Sequence, residues 1–371
     1  MTRFIHTSDW HLGMRARFLP EDARARFLQS RFDAVRRIAQ LAKEERAEFV
    51  VVAGDVFDHN LVDRRVVSMA LEALRTFTVP VFLLPGNHDP LDPGSVYRSE
   101  RWLAEAPGHV TVLTDAEPRS VAGVEVVGVP WLNKHPLSDP VAGAVLTEPE
   151  RPRVVVGHGA LDVMSPAEGA LGLVAHADLQ AALDAGRAGY VALGDRHSAT
   201  ELHGMGGRAW YSGSPVATDF DQVDPNQVLV VELTGEGLDV SKRTVGEWCF
   251  LREQRDLAGD EDLSALARWL DARESKHTTA LRLELVGTLT LAQGAELDAL
   301  LDRYSDTFAS LNRWERHSDL TVSPGSGDLE DLELSGYARA ALEELQSQAL
   351  AGGDDGASAG DALNLLYRLA R

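Results

Sequence analysis

Cysteine, lysine and long apolar runs are all scarce in this chain of 371 residues. Cys249 is the one cysteine, so no disulfide can form within the chain, and nothing in the cysteine content argues for secretion. No apolar run approaches the roughly 20 residues that a membrane-spanning helix requires. The N-terminal residues also lack the basic start and apolar stretch of a signal peptide. We therefore expect a cytoplasmic protein with no membrane partner.

Positive charge is also in deficit, with a formal net charge of −21 and only four lysines. Proteins that bind DNA normally carry a basic surface, because neutralising phosphates supplies much of the affinity. The charge therefore argues against tight, unaided DNA binding, although it does not argue against phosphoester chemistry. If the chain acts on DNA, it needs a segregated basic face or a basic partner.

Short apolar segments that end in Gly, Pro or Asp alternate with longer segments of helical character. The strand candidates are FIHTSD, FVVVAGD, VFLLPGNHD, VEVVGVP, VVVGHG, YVALGD and VLVVEL. Helices are predicted at about 22–45 and 64–76. This alternation predicts an α/β domain over residues 1–245 with strands buried on both faces. The later strands lie closer together along the chain, which indicates that part of the sheet is antiparallel.

The pattern changes after this domain. Helix, alternating strand and helix follow one another, which predicts a small α+β domain over residues 247–322. The run SPGSGD (323–328) predicts a linker. Residues 329–371 contain two helix candidates, separated by a run at 351–361 that we expect to be flexible. These helices are too short to be stable alone, so they dock either on their own domain or on a partner.

Five strand candidates end in residue types that bind metals, and these residues are Asp9, His11, Asp55, Asn87, His158, Asp195 and His197. Ligands collect at the carboxyl ends of strands in open α/β sheets, so these side chains could converge. Oxygen and imidazole donors without thiolate suit Mn, Fe, Zn or Mg rather than a structural zinc site. Seven donors are too many for one tetrahedral ion but suit two ions that share a carboxylate, for which Asp55 is the natural bridge.

An Asp-x-His or a Gly-Asp at a strand end is alone typical of turn chemistry, whereas GNHD is a stronger signal because adjacent Asn and His rarely serve packing. Together and in this order, the motifs resemble a known family. DWH, GDVFD, GNHD, GHG and Gly-x-x-His match the calcineurin-like metallophosphoesterase superfamily. HTSDWHLG, AGDVFD and YSGSP (211–215) look more specifically like the SbcD-type DNA repair exonucleases, bacterial relatives of the eukaryotic double-strand-break nuclease. The resemblance is specific over roughly residues 3–215.

The resemblance implies an α/β fold of two packed mixed β-sheets flanked by helices. It also implies a small α+β capping domain, C-terminal helices that engage an SbcC-like ATPase, and manganese as the usual cofactor. Members of the family often form homodimers, although no interface can be identified from this sequence.

Carried over by motif, the resemblance implies two metal positions that share Asp55. Asp9, His11, Asp55 and His197 would hold one metal, and Asp55, Asn87, His158 and Asp195 would hold the other. His88 would orient or protonate the leaving alcohol, a role that suits an imidazole near neutral pH.

Asp195 departs from the family pattern, which normally has Gly-His-x-His where this chain has Gly-Asp-Arg-His. A carboxylate still binds these ions, but it is anionic and harder than imidazole. Three interpretations stay open: an altered metal preference, a weakened second metal position, or a degenerate site. Arg196 could pair with Asp195 and withdraw it from the metal, or it could face the substrate phosphate.

Several other residues are candidates for contact with substrate or for support of the site. Asp89 could orient His88 or serve only in a turn, and His59 could position a substrate strand or be a solvated loop residue. The candidates for a local basic face that contacts DNA phosphates are Arg15, Arg17, Arg24, Arg26, Arg31, Arg64 and Arg65. Acidic residues are interspersed among them, so a solvated helix face is the competing interpretation.

The sequence thus predicts a metal-dependent phosphodiesterase, with a DNA exonuclease or endonuclease subunit of an SbcCD-like repair complex as the leading hypothesis. The alternative is a small-molecule phosphatase or cyclic-nucleotide phosphodiesterase of the same superfamily, which the acidic composition favours. A third hypothesis is a scaffold that has kept the fold and lost the chemistry through Asp195. The expected cofactor is a pair of divalent ions, with Mn²⁺ ahead of Mg²⁺, Fe²⁺ and Zn²⁺.

Overall fold

The computed structural model of the protein describes residues 1–134, 139, 141, 148–164, 173–235, 237–322, 336–351 and 353–370. The chain forms two compact units, Met1–Trp248 and Cys249–Arg371. The linker predicted at 323–328 lies outside the described residues. Within the described ranges, no helix is both long and apolar enough to cross a membrane.

The first unit contains two six-stranded sheets. Sheet one has the order β12-β11-β1-β2-β3-β4, in which β1 to β4 are parallel and β11 and β12 run antiparallel at one side. Its strands are β1 (Thr2–Thr7), β2 (Phe49–Val52), β3 (Val81–Leu83), β4 (Val110–Val112), β11 (Gln227–Leu233) and β12 (Leu238–Thr244).

Sheet two has the order β5-β6-β7-β8-β10-β9. Its four central strands are parallel, and its two edge strands are antiparallel to their neighbours. The strands are β5 (Arg119–Val121), β6 (Val124–Gly128), β7 (Arg153–His158), β8 (Tyr190–Gly194), β9 (Thr200–Glu201) and β10 (Ala209–Tyr211). Both sheets are mixed, as the spacing of the later strands predicted.

Successive residues of the central strands face two different cores, which explains why the strands are apolar throughout. In β1, Phe4 packs between the sheets while Ile5 packs under the helices, and β2 repeats the pattern with Val51 and Val50. Helices α1 (Glu21–Glu44), α2 (Arg64–Leu74) and α3 (Glu100–Glu105) cover sheet one, and α4 (His176–Asp184) covers sheet two. The predicted fold of two packed mixed sheets flanked by helices is confirmed.

The second unit is a four-stranded parallel sheet, in which β14 pairs with β13, β15 and β16, covered by helices. Its elements are β13 (Cys249–Leu257), α5 (Asp260–Asp271), β14 (Thr279–Leu289), α6 (Leu291–Ser305), β15 (Ser310–Arg313), β16 (Asp319–Val322), α7 (Tyr337–Ala351) and α8 (Gly353–Ala370). Leucines of β14 form a core with those of α5 and α6. A capping box at Thr290 and Gln293 begins α6.

The two C-terminal helices pack against α6 of their own unit, where Leu342 and Leu363 contact Leu291. The expectation of a flexible run at 351–361 was wrong, because α8 already begins at Gly353. Its small residues permit close helix contact: a Cβ on Gly356 would lie 3.2 Å from the carbonyl oxygen of Gln348 in α7. A helix segment with small residues for close packing has the same composition as a flexible linker. The sequence therefore suggested a linker where the chain forms a packed helix.

Candidate metal centre

The structure brings together the side chains that follow five strands of the two sheets. Asp9 and His11 follow β1, Asp55 follows β2, and Asn87 and His88 follow β3, all in sheet one. From sheet two, His158 ends β7, and Asp195 and His197 follow β8. The carboxyl ends of the central strands of both sheets therefore converge on one site.

The backbone at this site is held in an uncommon conformation. Nine non-glycine residues of the described chain have positive φ, and four of them are Asp9 (53°), His11 (41°), Asp55 (53°) and Asp195 (97°). Main-chain hydrogen bonds join the first two loops, among them those from Asp9 N to Gly54 O at 3.1 Å and from His11 N to Asp55 O at 2.9 Å. Such strain typically persists at functional sites, where the surrounding structure fixes it.

One group of potential ligands consists of Asp9, His11 and His197, whose ligand atoms lie within 4.8 Å of one another. The Nε2 atoms of His11 and His197 are 3.2 Å apart, and His197 Nε2 lies 3.9 Å from Asp9 Oδ1. Burial lowers the pKa of both imidazoles, to about 4 for His197, so both rings are neutral at neutral pH. A cation between them would satisfy both lone pairs.

A second group centres on His158, with Asp9 and Asp55 within 4.8 Å. The inward-facing amide atom of Asn87 lies 2.8 Å from His158 Nε2 and 3.2 Å and 3.3 Å from the two Asp55 oxygens. Asp195 Oδ1 is 3.9 Å from His158 Nε2, at the rim, with its side chain 31% exposed. With the amide oxygen turned inward, this position offers one imidazole and four oxygen-bearing side chains, which are those of Asp9, Asp55, Asn87 and Asp195.

Asp55 lies between the two groups. Its Oδ2 is 3.8 Å from His11 Nε2, and its Oδ1 is 3.4 Å from His158 Nε2. The space for this carboxylate depends on a glycine, because a Cβ on Gly86 would lie 2.2 Å from Asp55 Oδ1. The geometry suits a carboxylate shared by two cations.

Each imidazole of the site directs Nδ1 away from the centre. His158 Nδ1 contacts Ala53 O at 2.8 Å, His197 Nδ1 contacts Thr218 Oγ1 at 2.6 Å, and His88 Nδ1 contacts Asp58 O at 2.8 Å. Because carbonyl oxygens only accept, Nδ1 of His158 and of His88 carries a proton, and Nε2 is the nitrogen that points into the site. This arrangement is typical of metal-binding histidines, whose second nitrogen is fixed by an outer hydrogen bond.

The electrostatics of the site favour a bound cation. Burial alone would raise the pKa of Asp55, but the charges of His158 and His11 outweigh it and lower that pKa. Burial opposes protonation of His158, yet the Asp55 and Asp9 carboxylates raise its pKa well above 6.5. Burial also raises the pKa of Asp9 to about 6. The buried carboxylates thus draw a proton onto His158, in a place where a divalent cation would supply the charge instead.

Asp89 supports the loops rather than the His88 ring. Its carboxylate is fully buried and accepts hydrogen bonds from Phe57 N at 3.0 Å, Gly86 N at 2.8 Å and Tyr97 Oη at 2.6 Å. It therefore ties the loop after β2 to the loop after β3. Burial, together with the charge of Asp55, raises the pKa of Asp89 to about 6.

Serines from the YSGSP motif hold Asp9 from the side of sheet two. Ser8 Oγ donates to Asp9 Oδ2 at 2.6 Å and also contacts Ser212 Oγ at 2.7 Å. Ser214 Oγ lies 2.8 Å from the main-chain oxygen of Asp9. All three serines are buried, so the motif connects a loop of sheet two to a potential ligand on sheet one.

Other predicted residues lie outside this cluster. Arg196 Nε donates to Thr200 Oγ1 at 3.0 Å, and among the described residues it forms no salt bridge with Asp195. His59 lines a surface cavity of about 450 Å³ beyond the loop after β2. Arg15 pairs with Asp63 in solvent, and Arg17 is exposed.

For Arg31, the prediction of a surface phosphate contact was wrong. The side chain is 1% exposed and lies beneath the first ligand loop. A charge pattern identified the helix on which Arg31 lies, but helical periodicity places this residue on the buried face with Phe27 and Val35.

Two residues that support the site were not singled out from the sequence. Asp58 Oδ1 lies 3.6 Å from His11 Nδ1, and the main-chain oxygen of Asp58 fixes His88. Thr218 fixes His197. Asp58 is the last residue of the GDVFD motif, so it could have been identified as a supporting residue from that motif. Nothing in the sequence near Thr218 marks it in the same way.

Comparison with known proteins agrees with this geometry. A family model described as calcineurin-like phosphoesterase matches residues 2–231. The chain belongs to this family, which makes it a hydrolase of phosphoric esters that uses divalent metal ions. The donor set described above fits such ions, because it combines carboxylate, amide and imidazole ligands without thiolate.

Among curated relatives, the DNA double-strand break repair protein Mre11 of Haloferax volcanii is 29% identical over 362 residues, covering 92% of this chain and 76% of that protein. Mre11 of Methanosarcina mazei is 30% identical over 279 residues, or 70% of this chain and 40% of that protein. A subunit of the nuclease SbcCD of Staphylococcus saprophyticus is 24% identical over 139 residues, or 35% and 34%. The chain thus spans less than half of the second and third relatives.

Proposed function

We propose that this chain is a DNA nuclease that hydrolyses phosphodiester bonds with two divalent cations, Mn²⁺ foremost. The observation that carries the proposal is the convergence of three carboxylates, with Asp55 at the centre, an amide and three imidazoles. Relatives named as DNA repair proteins and as a nuclease subunit support DNA as the substrate.

The two cation positions follow from the two groups of side chains. Asp9, His11 and His197 would form the first, Asn87, His158 and Asp195 the second, and Asp55 would be shared. Divalent cations at such a pair of positions polarise phosphoryl oxygens and lower the pKa of water. The chain itself orients His158 and His197 through contacts of Nδ1 with Ala53 O and Thr218 Oγ1, and Asp58 Oδ1 lies 3.6 Å from His11 Nδ1.

His88 is placed to transfer a proton to the leaving alcohol. Its Nδ1–H donates to Asp58 O, so Nε2 is the nitrogen available to the leaving oxygen. Its ring stands at 83° to that of His11, with centroids 4.8 Å apart, so it flanks the metal ligands without being one of them in this assignment. General acid catalysis by a positioned imidazole contributes roughly 10²–10⁴-fold to rate.

The test compares cleavage of linear duplex and single-stranded DNA with cleavage of bis-p-nitrophenyl phosphate, using Mn²⁺-loaded protein. We expect DNA to be cut and His88→Ala to lose about 10²-fold or more of that activity while keeping both metals. The exposed His203 supplies a control, since His203→Ala should behave as wild type. Loss of both metals in His88→Ala would show that His88 is a ligand.

A phosphatase or cyclic-nucleotide phosphodiesterase acting on small molecules is the second candidate, and the net charge of −21 favours it. Rapid turnover of the small substrate with no DNA cleavage, even with an ATPase partner present, would establish it. A scaffold without chemistry would bind fewer than two Mn²⁺ per chain, and Asp195→His would then create activity.

We further propose that the chain works in the cytoplasm with an SbcC-like ATPase that docks on the α7–α8 hairpin. Tyr337 and Leu365 are 90% and 55% exposed on these helices. Leu365→Asp should abolish co-purification with the product of a neighbouring ATPase gene and leave hydrolysis of the small substrate unchanged. Val223→Asp, at a residue 74% exposed in the first unit, is the control. Retained co-purification in Leu365→Asp would show that the ATPase docks elsewhere on the chain.

Light scattering of the same samples reports whether the chain forms a homodimer.

A further inference from the structure

Arg31 in α1 is a buried guanidinium that forms no salt bridge with any described carboxylate. Only 1% of the residue is exposed. Burial lowers its pKa to about 9, so it remains a cation at neutral pH. Burying an unpaired charge is costly, and proteins usually pair such groups or use them. The position therefore needs an explanation beyond packing.

The guanidinium acts as a fork between two carbonyl groups. Its Nη1 donates to Trp10 O at 2.9 Å, and its Nη2 lies 3.3 Å from Ala217 O. Nη2 also contacts the sulfur of Met14 at 3.0 Å, and the guanidinium lies 4.7 Å above the Phe27 ring. Nε has no partner in the described structure. Both hydrogen bonds to oxygen are to main-chain carbonyl groups, so Arg31 fixes the backbone of those two segments.

One of these carbonyl groups belongs to the turn that carries candidate metal ligands, and the other belongs to a segment that orients one. Trp10 lies between Asp9 and His11, which both have left-handed backbone. Ala217 directly precedes Thr218, which holds His197 Nδ1 at 2.6 Å. One side chain therefore joins the turn that carries Asp9 and His11 to the segment that orients His197.

We propose that Arg31 is a positioning residue for the first metal position, holding the Asp9–His11 turn against the segment that orients His197. The role rests on the proposed two-metal function. Arginine suits it because a planar fork can donate to two carbonyl groups at once, whereas lysine offers one compact ammonium group and methionine offers no donor. A purely structural role would instead affect the stability of the metal-free fold and leave metal affinity unchanged.

The experiment titrates Mn²⁺ into metal-free, full-length wild type, Arg31→Met, Arg31→Lys and Arg24→Met by calorimetry. Arg24 is exposed on the same helix and provides the matched control. We expect wild type and Arg24→Met to bind two Mn²⁺. In Arg31→Met, one of the two sites should weaken by about 10–100-fold, as is typical when a group that supports a ligand is removed. Arg31→Lys should fall between them.

Two further measurements separate positioning from stability. The electron paramagnetic resonance spectrum of loaded wild type should show a coupled Mn²⁺ pair, and that of Arg31→Met an isolated ion. The melting temperature of the metal-free proteins should change little, because losing a buried charge offsets the lost hydrogen bonds.

The outcomes are distinguishable. Two equally tight sites in Arg31→Met would overturn the role of Arg31 and leave the metal centre intact. A wild-type chain that binds no Mn²⁺ would overturn the metal centre and the role of Arg31 with it. If Arg31→Met does not fold, Arg31→Lys decides: weakened binding at one site supports the role, and unchanged binding overturns it.

Discussion

His6 should make the stability of the first unit depend on pH. It is fully buried in β1, where Nε2 donates to Leu193 O at 3.1 Å and Nδ1 accepts from Tyr190 Oη at 3.0 Å. Loss of solvation lowers its pKa from 6.5 to about 3, with the bond to Leu193 offsetting part of that effect. The folded protein therefore keeps this imidazole neutral under conditions in which the unfolded chain protonates it.

The direction follows from proton binding in the two states. Between about pH 6.5 and pH 3 the unfolded chain binds a proton at His6 that the folded chain does not, so the free energy of unfolding falls as the pH falls. The contribution is fully present above this window. One proton corresponds to about 1.4 kcal/mol per pH unit, so His6 should account for about 3 kcal/mol lost by about pH 4.5.

The perturbation is His6→Gln, which keeps a donor for Leu193 O and an acceptor for Tyr190 but does not titrate. Urea unfolding of metal-free wild type and variant at about pH 8 and about pH 4.5 measures the difference. Between these two pH values, the free energy of unfolding should fall in both proteins, and the fall should be about 3 kcal/mol smaller in the variant than in wild type. The exposed His203→Gln should behave as wild type. Equal acid sensitivity of wild type and His6→Gln would refute the reasoning.

Three further predictions concern the metal centre. Asp195→His should raise the affinity for Zn²⁺ relative to Mn²⁺ by roughly tenfold, because imidazole is the softer ligand, and competition titration checks the ratio. Because the pKa of His158 is raised in the metal-free protein, Mn²⁺ must displace a proton; its affinity should therefore rise with pH, and calorimetry in buffers of different ionisation enthalpy should detect the proton released. Gly86→Ala should reduce Mn²⁺ affinity at least tenfold, since its Cβ would lie 2.2 Å from Asp55 Oδ1, whereas Gly108→Ala meets no atom within 4 Å and should have no effect. An unchanged ratio of Zn²⁺ to Mn²⁺ affinity in Asp195→His would contradict the first prediction, and Mn²⁺ binding without proton release would contradict the second. Equal Mn²⁺ affinity in Gly86→Ala and Gly108→Ala would contradict the third.

The fold could be predicted because local patterns and tertiary structure agree over most of the first unit. Helices expected at about 22–45 and 64–76 are present as Glu21–Glu44 and Arg64–Leu74. The prediction of a flexible run at 351–361 failed for a physical reason. Glycine and alanine have few side-chain atoms and are typical of linkers, but here their small size lets α8 approach α7 closely. Composition alone does not distinguish the small residues of a flexible linker from small residues at a close contact between two helices.

For the site, the residues that end strands were predictable, whereas the residues that hold them were not. Asp9 and Asp55 follow strands whose apolar character is visible in the sequence. Thr218 contacts His197 and Arg31 contacts the Trp10 carbonyl, each across a separation of 21 residues, and Arg31 also reaches Ala217 O across 186 residues. Such long-range contacts depend on how the loops and helices pack, and no periodicity or motif records them.

The division of the ligands between two sheets ties metal binding to folding. In the proposed assignment, sheet one supplies Asp9, His11, Asp55 and Asn87, and sheet two supplies His158, Asp195 and His197. An ion that is bound by side chains from both sheets therefore crosslinks the sheets. Its binding free energy is added to the free energy that stabilises the folded unit. Removing the ions with a chelator would then weaken the first unit as a whole, so the availability of metal in the cell would control the lifetime of the folded protein as well as its turnover.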